Sequence, residues 1–366
     1  MKPNLLSDSS VILIDERISV QASLLSYPDR GCCVIRLDGQ RLRIEHREYG
    51  QSSAWLLRSV DERLELEPIN ASNQFSIWDC LAAIEASLVC YPSQNKLTLA
   101  VAQSQFPELL ASGVFTTENN QVVTYAEMFW QQPRLWHQCV SETPYPIRYG
   151  FSSGRRHPLR PPKPSGVVYR RYIPWLGCTL NFRRPEINID LQRFNRWMND
   201  PVVAAFWQET GGIQKHRSYL EAVDADPHML SLIACLDDDP FGYFEVYWAK
   251  EDRIAPFYDA HDFDRGWHVL IGEQQMRGKP FVTAWLPSIS HYLFLDECRT
   301  QRIVIEPRVD NHKMARNLAY AGYANLKEFD FPHKRAALHM LLRERFFSDQ
   351  LWVPRNSVAT HSLSLS

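Results

Sequence analysis

Apolar positions along this chain follow two periodicities, short runs of strand length and longer stretches with helical spacing, and the two kinds alternate. Residues 11–14, 33–37 and 64–66 predict strands, and 77–89 carries the apolar spacing of a helix. A further strand is predicted at 96–101, followed by helix-like segments at 106–110 and 125–130. The pattern then breaks at 154–166, where four prolines fall within thirteen residues; proline fixes φ and removes a donor, so an extended connector is expected. Beyond it, 167–174 and 179–183 predict strands, Asp190 can cap a helix at 191–198, and 202–207 opens another. Two central strands are expected at 228–235 and 242–248, joined by a turn at 237–240. A strand at 267–271, a helix at 281–295 interrupted by Pro287, a strand at 303–305 and a helix at 314–321 complete the order. Mixed strands and helices imply a layered α/β (α+β) domain with a mixed central sheet. The expected organisation is an N-terminal non-catalytic α/β domain at 1–153, a Pro-rich basic linker at 154–166, a catalytic domain at 167–350 and a polar tail at 351–366.

A length of 366 residues supports the two-domain reading, and 45% apolar residues can build a core in each. Forty basic residues against 42 acidic ones leave a formal charge of -2, which gives no reason to expect nucleic acid or an anionic membrane as partner. Residues 1–10 lack a basic segment followed by an apolar core, and no apolar run reaches bilayer length, so a cytoplasmic protein is expected. The eight cysteines form no CxxC pair and no zinc-like spacing with histidines, so no metal is expected.

Candidate chemistry concentrates in the strand 267–271, which lies between Gly266 and Gly272 and carries His268. The loop after it, Gln274, Gln275, Met276, Arg277, Gly278 and Lys279, supplies backbone N–H groups, a glycine and two cations ahead of a helix N-terminus, a pattern that favours a phosphorylated ligand. His268 titrates near neutral pH and suits a general base, although a strand histidine can equally be structural. Asp310 follows the opposite strand, and either it or Asn311 can cap the next helix. Glu245, Tyr247 and Trp248 offer a carboxylate and aromatic walls to a cationic substrate, or are ordinary strand residues. Arg299, Arg302 and Arg308 could hold a substrate carboxylate bidentately, or form exposed ion pairs.

The loop Gln275 to Pro280 resembles the acyl-CoA signature of the GNAT acyltransferase superfamily, departing only at its last position. Longer words run in one order from Phe194 to Arg335: FNRWMNDP from Phe194, YFEVYW from Tyr243, DRGWH from Asp264, EPRVDN from Glu306 and KEFDFPHKR from Lys327. Together they resemble the siderophore-biosynthesis branch, most closely the aerobactin-type N6-hydroxylysine acetyltransferases. That resemblance implies a GNAT fold preceded by a degenerate GNAT-like N-terminal domain. It also implies acetyl-CoA as acyl donor, inserted between two splayed strands, and a small hydroxylamine as acceptor. His268 and Asp310 are then the catalytic pair, with Asp310 orienting His268 or acting as a second base. Amides near Leu270 and Ile271 face the thioester carbonyl, the loop from Gln274 to Lys279 with Asn311 holds the cofactor, and Glu245, Tyr247, Trp248 and Arg308 contact substrate. N-hydroxycadaverine or N-hydroxyputrescine, with acetyl- or succinyl-CoA, is the nearest alternative chemistry. A non-catalytic CoA-binding scaffold of a siderophore assembly is the alternative from another class, and association into a homo-oligomer stays open.

Overall fold

The computed structural model describes residues 22–354 except 49, 61–62, 70–75, 140, 142 and 153; the strand expected at 11–14 lies outside them. Contacts divide the chain into two compact units, Met1–Ala126 with Tyr172–Cys178, and Glu127–Arg171 with Thr179–Ser366. Among the described residues no helix is long and apolar enough to cross a membrane.

The first unit holds an eight-stranded sheet: β1 (Ala22–Ser26), β2 (Cys33–Asp38), β3 (Arg41–His46), β4 (Ser52–Val60), β5 (Arg63–Pro68), β6 (Lys96–Leu99), β7 (Thr116–Glu118) and β8 (Gln121–Tyr125). Their order is β1-β2-β3-β4-β5-β6-β8-β7, antiparallel throughout except for the parallel pair β5/β6. That parallel pair needs a crossover, and helix α1 (Ile77–Cys90) supplies it. Ser76 caps α1 in a reciprocal box with Asp79, and the helix buries nearly every residue from Asp79 to Leu88. Two short helices, α2 (Pro107–Ala111) and α3 (Ala126–Phe129), follow.

In a two-stranded ribbon of β9 (Tyr149–Ser152) with β10 (Arg155–Pro158), the second strand occupies part of the segment expected as an extended connector. The rest is anchored too: Arg160 is buried and forks onto Glu251 with Nε and Nη2 at 2.5 and 2.6 Å. Proline excluded this stretch from the central sheet, as expected, but its arginines found buried carboxylate and carbonyl partners.

The second sheet consists of β11 (Val167–Ile173), β12 (Cys178–Arg183), β13 (Met229–Leu236), β14 (Asp239–Trp248), β15 (Arg265–Ile271), β16 (Arg302–Ile305), β17 (Ala324–Asp330) and β18 (Arg335–Leu342). Its order, β11-β12-β13-β14-β15-β16-β18-β17, repeats that of the first sheet, again with a parallel pair, β15/β16, formed by the fifth and sixth strands. The two sheets thus share one strand order, as the expected GNAT-like N-terminal domain implies. Helices α4 (Ile187–Met198), α5 (Pro201–Trp207) and α6 (Ile213–Ala225) precede β13. Helix α7 (Val282–Asp296) crosses from β15 to β16 and is buried along nearly its whole length, running through Pro287 without a break. Helix α8 (His312–Tyr320) follows β16, and α9 (Arg343–Ser348) ends the fold.

Helix α4 begins at Ile187, earlier than the expected start, so Asp190 lies inside its first turn. Its carboxylate takes the fork of Arg183 at 2.7 and 2.8 Å and the Glu186 N–H at 2.8 Å. Asp200 caps α5 by accepting the Val202 N–H at 2.9 Å, and Pro201 occupies the first helical position, where a missing N–H costs nothing. The core of this region packs Leu191, Phe194, Trp197 and Leu220 against Ile233, Tyr243 and Leu270 of the sheet. Trp197 lies against the backbone of Gly272, where an added Cβ would meet its ring at 2.1 Å, and its Nε1–H donates to Glu273 Oε1 at 2.9 Å. Gly272→Ala should therefore cost about 1–3 kcal/mol through overpacking; a urea midpoint lowered at constant slope checks it.

Candidate active site

Strands β15 and β16 are paired through only two residue pairs, Arg265↔Ile303 and Gly266↔Val304, although β15 runs on to Ile271. On its other edge β15 stays paired with β14 along its full length, with Glu245 opposite His268 and Tyr243 opposite Leu270. The N–H and C=O of one strand residue point to the same edge. The Val269 carbonyl accepts Trp207 Nε1–H at 3.2 Å and the Ile271 carbonyl accepts Arg277 Nε–H at 2.9 Å, so these two residues face the gap. The amides of Val269 and Ile271 thus line the gap, whereas Leu270 is turned to β14 and its side chain is buried in the core. Of the two amides expected to face a thioester, that of Ile271 lies on the gap edge and that of Leu270 on the β14 edge; strand alternation puts Val269 on the gap edge with Ile271.

Residues opposite one another share a face, so Tyr243, Glu245, Tyr247, His268 and Leu270 project together. His268 Nε2 lies 3.0 Å from Glu306 Oε1, and its Nδ1 is 3.7 Å from Glu245 Oε2. Tyr247 O–H donates to Glu306 Oε2 at 2.8 Å, and Tyr219 and Tyr243 donate to Glu245 Oε1 at 2.6 and 3.0 Å. Lys334 Nζ stands 3.6 Å from Glu306 Oε1 and donates to the Glu306 carbonyl at 2.7 Å. Gly266 makes room for this arrangement, because a Cβ there would enter the Tyr247 ring at 2.2 Å. Both carboxylates are buried, while the His268 side chain keeps 23% of its surface exposed, so it is the member of the cluster that can meet a ligand.

Burial opposes charging of His268, but Glu306 and then Glu245 outweigh it and push its pKa up to about 9. Glu306 is likewise opposed by burial yet held well below the carboxylate range by His268, with help from Lys334 and Tyr247. Both shifts favour an imidazolium between two carboxylates.

Asp310, expected to orient His268, instead takes the fork of Arg308 at 3.0 and 2.5 Å on the surface. Arg308, expected to bind substrate, is occupied by that pair and by the Ala205 carbonyl. Asn311 caps α8, accepting the Met314 N–H at 3.1 Å. Trp248 faces away from Tyr247, because neighbours on a strand alternate, and stacks under the guanidinium groups of Arg160 and Arg265 at 4.2 and 4.0 Å. Glu306, which sequence reasoning passed over, is the carboxylate that reaches His268; its position directly after Ile305, at the end of β16 beside the gap, was the available signal.

The loop after β15 forms a single 3-10 turn, Gln274–Met276. Gln274 reaches Asp200 Oδ2 at 3.4 Å, and Arg277 ties the carbonyls of Ile271 and Gly272 to Asp200, so its side chain serves the loop rather than an outside phosphate. Gly278, at φ 92, has open space before it. It opens with Lys279 onto a cleft of about 320 Å³ completed by Val282, Lys313, Arg316, Asn317 and Tyr320. Lys313, Arg316, Asn317 and Tyr320 recur at helical spacing along α8, a stripe the sequence offered but that was not read. Three cations, Lys279, Lys313 and Arg316, and an open glycine suit a polyphosphate. Among the described residues no cluster of histidine, cysteine and carboxylate has the arrangement of a metal site.

Residues 186–331 match the acetyltransferase (GNAT) domain family. An N(6)-hydroxylysine O-acetyltransferase of Escherichia coli is 44% identical over 62% of this chain and 72% of its own length. An acyltransferase of Mycosarcoma maydis is 32% identical over 81% of this chain and 73% of its own. A hydroxyornithine transacylase of Ajellomyces capsulatus is 40% identical over 57% of this chain, which spans half of that relative.

A folded-state pKa raised above the free value means that stability from the His268 contacts is complete below about pH 6.5 and lost as pH rises through about 9. Glu306→Gln should lower the His268 pKa and flatten that loss. Imidazole NMR titration and urea unfolding at pH 6 and 9.5 check it; an unmoved His268 pKa would refute the pairing.

Proposed function

The chain belongs to the siderophore-biosynthesis acyltransferases of the GNAT superfamily, and from that premise we propose that it transfers acetyl from acetyl-CoA to the hydroxylamino nitrogen of N6-hydroxylysine. The observation that carries this reading is the gap between β15 and β16, with free amides on one wall, His268 beside it and the basic cleft beyond the end of the same strand. The CoA phosphates take Lys279, Lys313 and Arg316, and the pantetheine arm lies along the Val269 and Ile271 edge. An amide on that edge donates to the thioester oxygen as it gains charge, a donor held in place before the reaction begins.

The nucleophilic nitrogen attacks the carbonyl carbon, the C–S bond breaks and CoA leaves as thiolate, while the nitrogen loses a proton. A hydroxylamine is weakly basic and arrives uncharged, so the site has one proton to remove after attack. His268 is the acceptor in its neutral form, and Glu306 and Glu245 stabilise the imidazolium that results. The E. coli relative's name supports hydroxylysine, and the fungal transacylase shows that hydroxyornithine is accepted by another relative.

Because kcat/KM reports groups of the free enzyme, it should rise with pH toward about 9, and Glu306→Gln should move that limb to lower pH. His268→Ala should lower kcat by roughly two to four orders of magnitude, whereas Asp310→Asn should stay near the parent value. Steady-state assays of CoA release with N6-hydroxylysine measure all three; a fully active His268→Ala variant would place the base elsewhere.

Arg316→Ala should raise the KM for acetyl-CoA about tenfold, leaving that for the hydroxylamine nearly constant, the pattern of lost uniform binding. An unchanged acetyl-CoA KM would remove the α8 stripe from the cofactor site.

A further inference from the structure

Cations on the elements around Glu306 differ in what their donors already hold. Lys334 donates to the Glu306 carbonyl, and Arg308 forks onto Asp310. Arg253 is different: its Nη2 lies 3.8 Å from Glu306 Oε1, beyond hydrogen-bond reach, and no hydrogen bond from it is found among the described residues. Its backbone is nonetheless fixed, because the neighbouring Ile254 is fully buried and its N–H donates to Asp252 Oδ1 at 3.0 Å. The side chain is half exposed and its guanidinium stands 5.6 Å over the Phe331 ring. A positioned guanidinium with open donors beside a reacting group is suited to a planar anion such as a carboxylate.

The same Glu306 oxygen is within 3.0 Å of His268 Nε2, so the Arg253 and His268 nitrogens stand within about 7 Å of each other. An extended N6-hydroxylysine separates its hydroxylamino nitrogen from its carboxylate by about 7 Å as well, counted over its aliphatic bonds. With the nitrogen at His268, the carboxylate falls in the range of a swinging arginine stem. We infer that Arg253 binds the α-carboxylate of the acceptor and so makes this site select a hydroxylated amino acid over a hydroxylated diamine such as N-hydroxycadaverine. This assignment rests on acetyl transfer to a hydroxylamine as proposed above.

The test compares N6-hydroxylysine, its α-carboxamide and N-hydroxycadaverine as acceptors for the full chain. The parent enzyme should prefer hydroxylysine at least tenfold in KM. Arg253→Ala should raise the KM for hydroxylysine about tenfold with kcat within about twofold, and leave the KM of the carboxamide and the diamine unchanged. Arg253→Lys should recover part of the loss, since it keeps the charge but not the fork. Equal KM values for the three acceptors in the parent would overturn the assignment while leaving acetyl transfer intact. A kcat loss shared by all three in Arg253→Ala would also overturn it, reducing Arg253 to support for Glu306. Turnover of none of the hydroxylamines would overturn the underlying function as well.

Discussion

The second unit is organised around the short contact between β15 and β16. Two residue pairs hold the strands together, and beyond them the sheet opens while its backbone groups still demand partners. A buried carbonyl left unpaired costs on the order of 1–3 kcal/mol, so the opening survives only because side chains have replaced the missing strand. Trp207 at the end of α5 serves Val269, and Arg277 serves Ile271 and Gly272. The Asp200 cap links the two devices, since it starts α5 and also pairs with Arg277. Carbonyls on the gap edge are thus satisfied by the protein, and the amides of the same residues are left for a ligand that brings acceptors.

A second constraint comes from burying charge where the strands part. Glu306 sits at the end of β16 and Glu245 on β14, with His268 on the strand between them. Two buried carboxylates are tolerable because each has dedicated partners: the Tyr247 hydroxyl and the Lys334 charge at Glu306, the Tyr219 and Tyr243 hydroxyls at Glu245. Removing a partner would leave a buried charge less well compensated, which makes the cluster more costly to break piecemeal than to keep. The same charges raise the pKa of His268 against the opposing effect of burial.

Much of this was legible in the chain itself. The strand bearing His268, the loop through Gly278 and Lys279, and the second strand were readable because their apolar runs are bounded by glycines and turns, and the words they carry matched a known acyltransferase pattern. What the sequence left open were facts of face and reach. Tyr247 and Trp248 are adjacent in the chain but opposite in the sheet, so grouping them mixed the His268 face with the face that stacks under Arg160 and Arg265. Asp310 and Glu306 both follow β16, and only three-dimensional register shows that the first is beyond the turn with Arg308 while the second points at His268. Helix α6 and the strands β3 and β4 went unread because their apolar positions are sparse or interrupted by charge.

The repeated strand order gives the first unit a physical reading of its own. Its parallel pair β5/β6 is matched at Leu64↔Leu97, Glu65↔Thr98 and Leu66↔Leu99, and the Ala100 N–H continues the ladder to the Leu66 carbonyl at 2.9 Å. Where the second unit opens, this one stays closed to the last residue of β6. Leu64 and Leu66 are buried there, so the closed ladder is backed by apolar packing on one face rather than by a charged cluster. The stretch leading to α1, from Ile69 to Ser76, contains neither glycine nor a cation. A zipped ladder has no free amide edge, and a segment without cation or glycine offers a phosphate little to hold. One topology thus supports two outcomes, and the difference lies in whether side chains replace the hydrogen bonds that an opened parallel pair gives up.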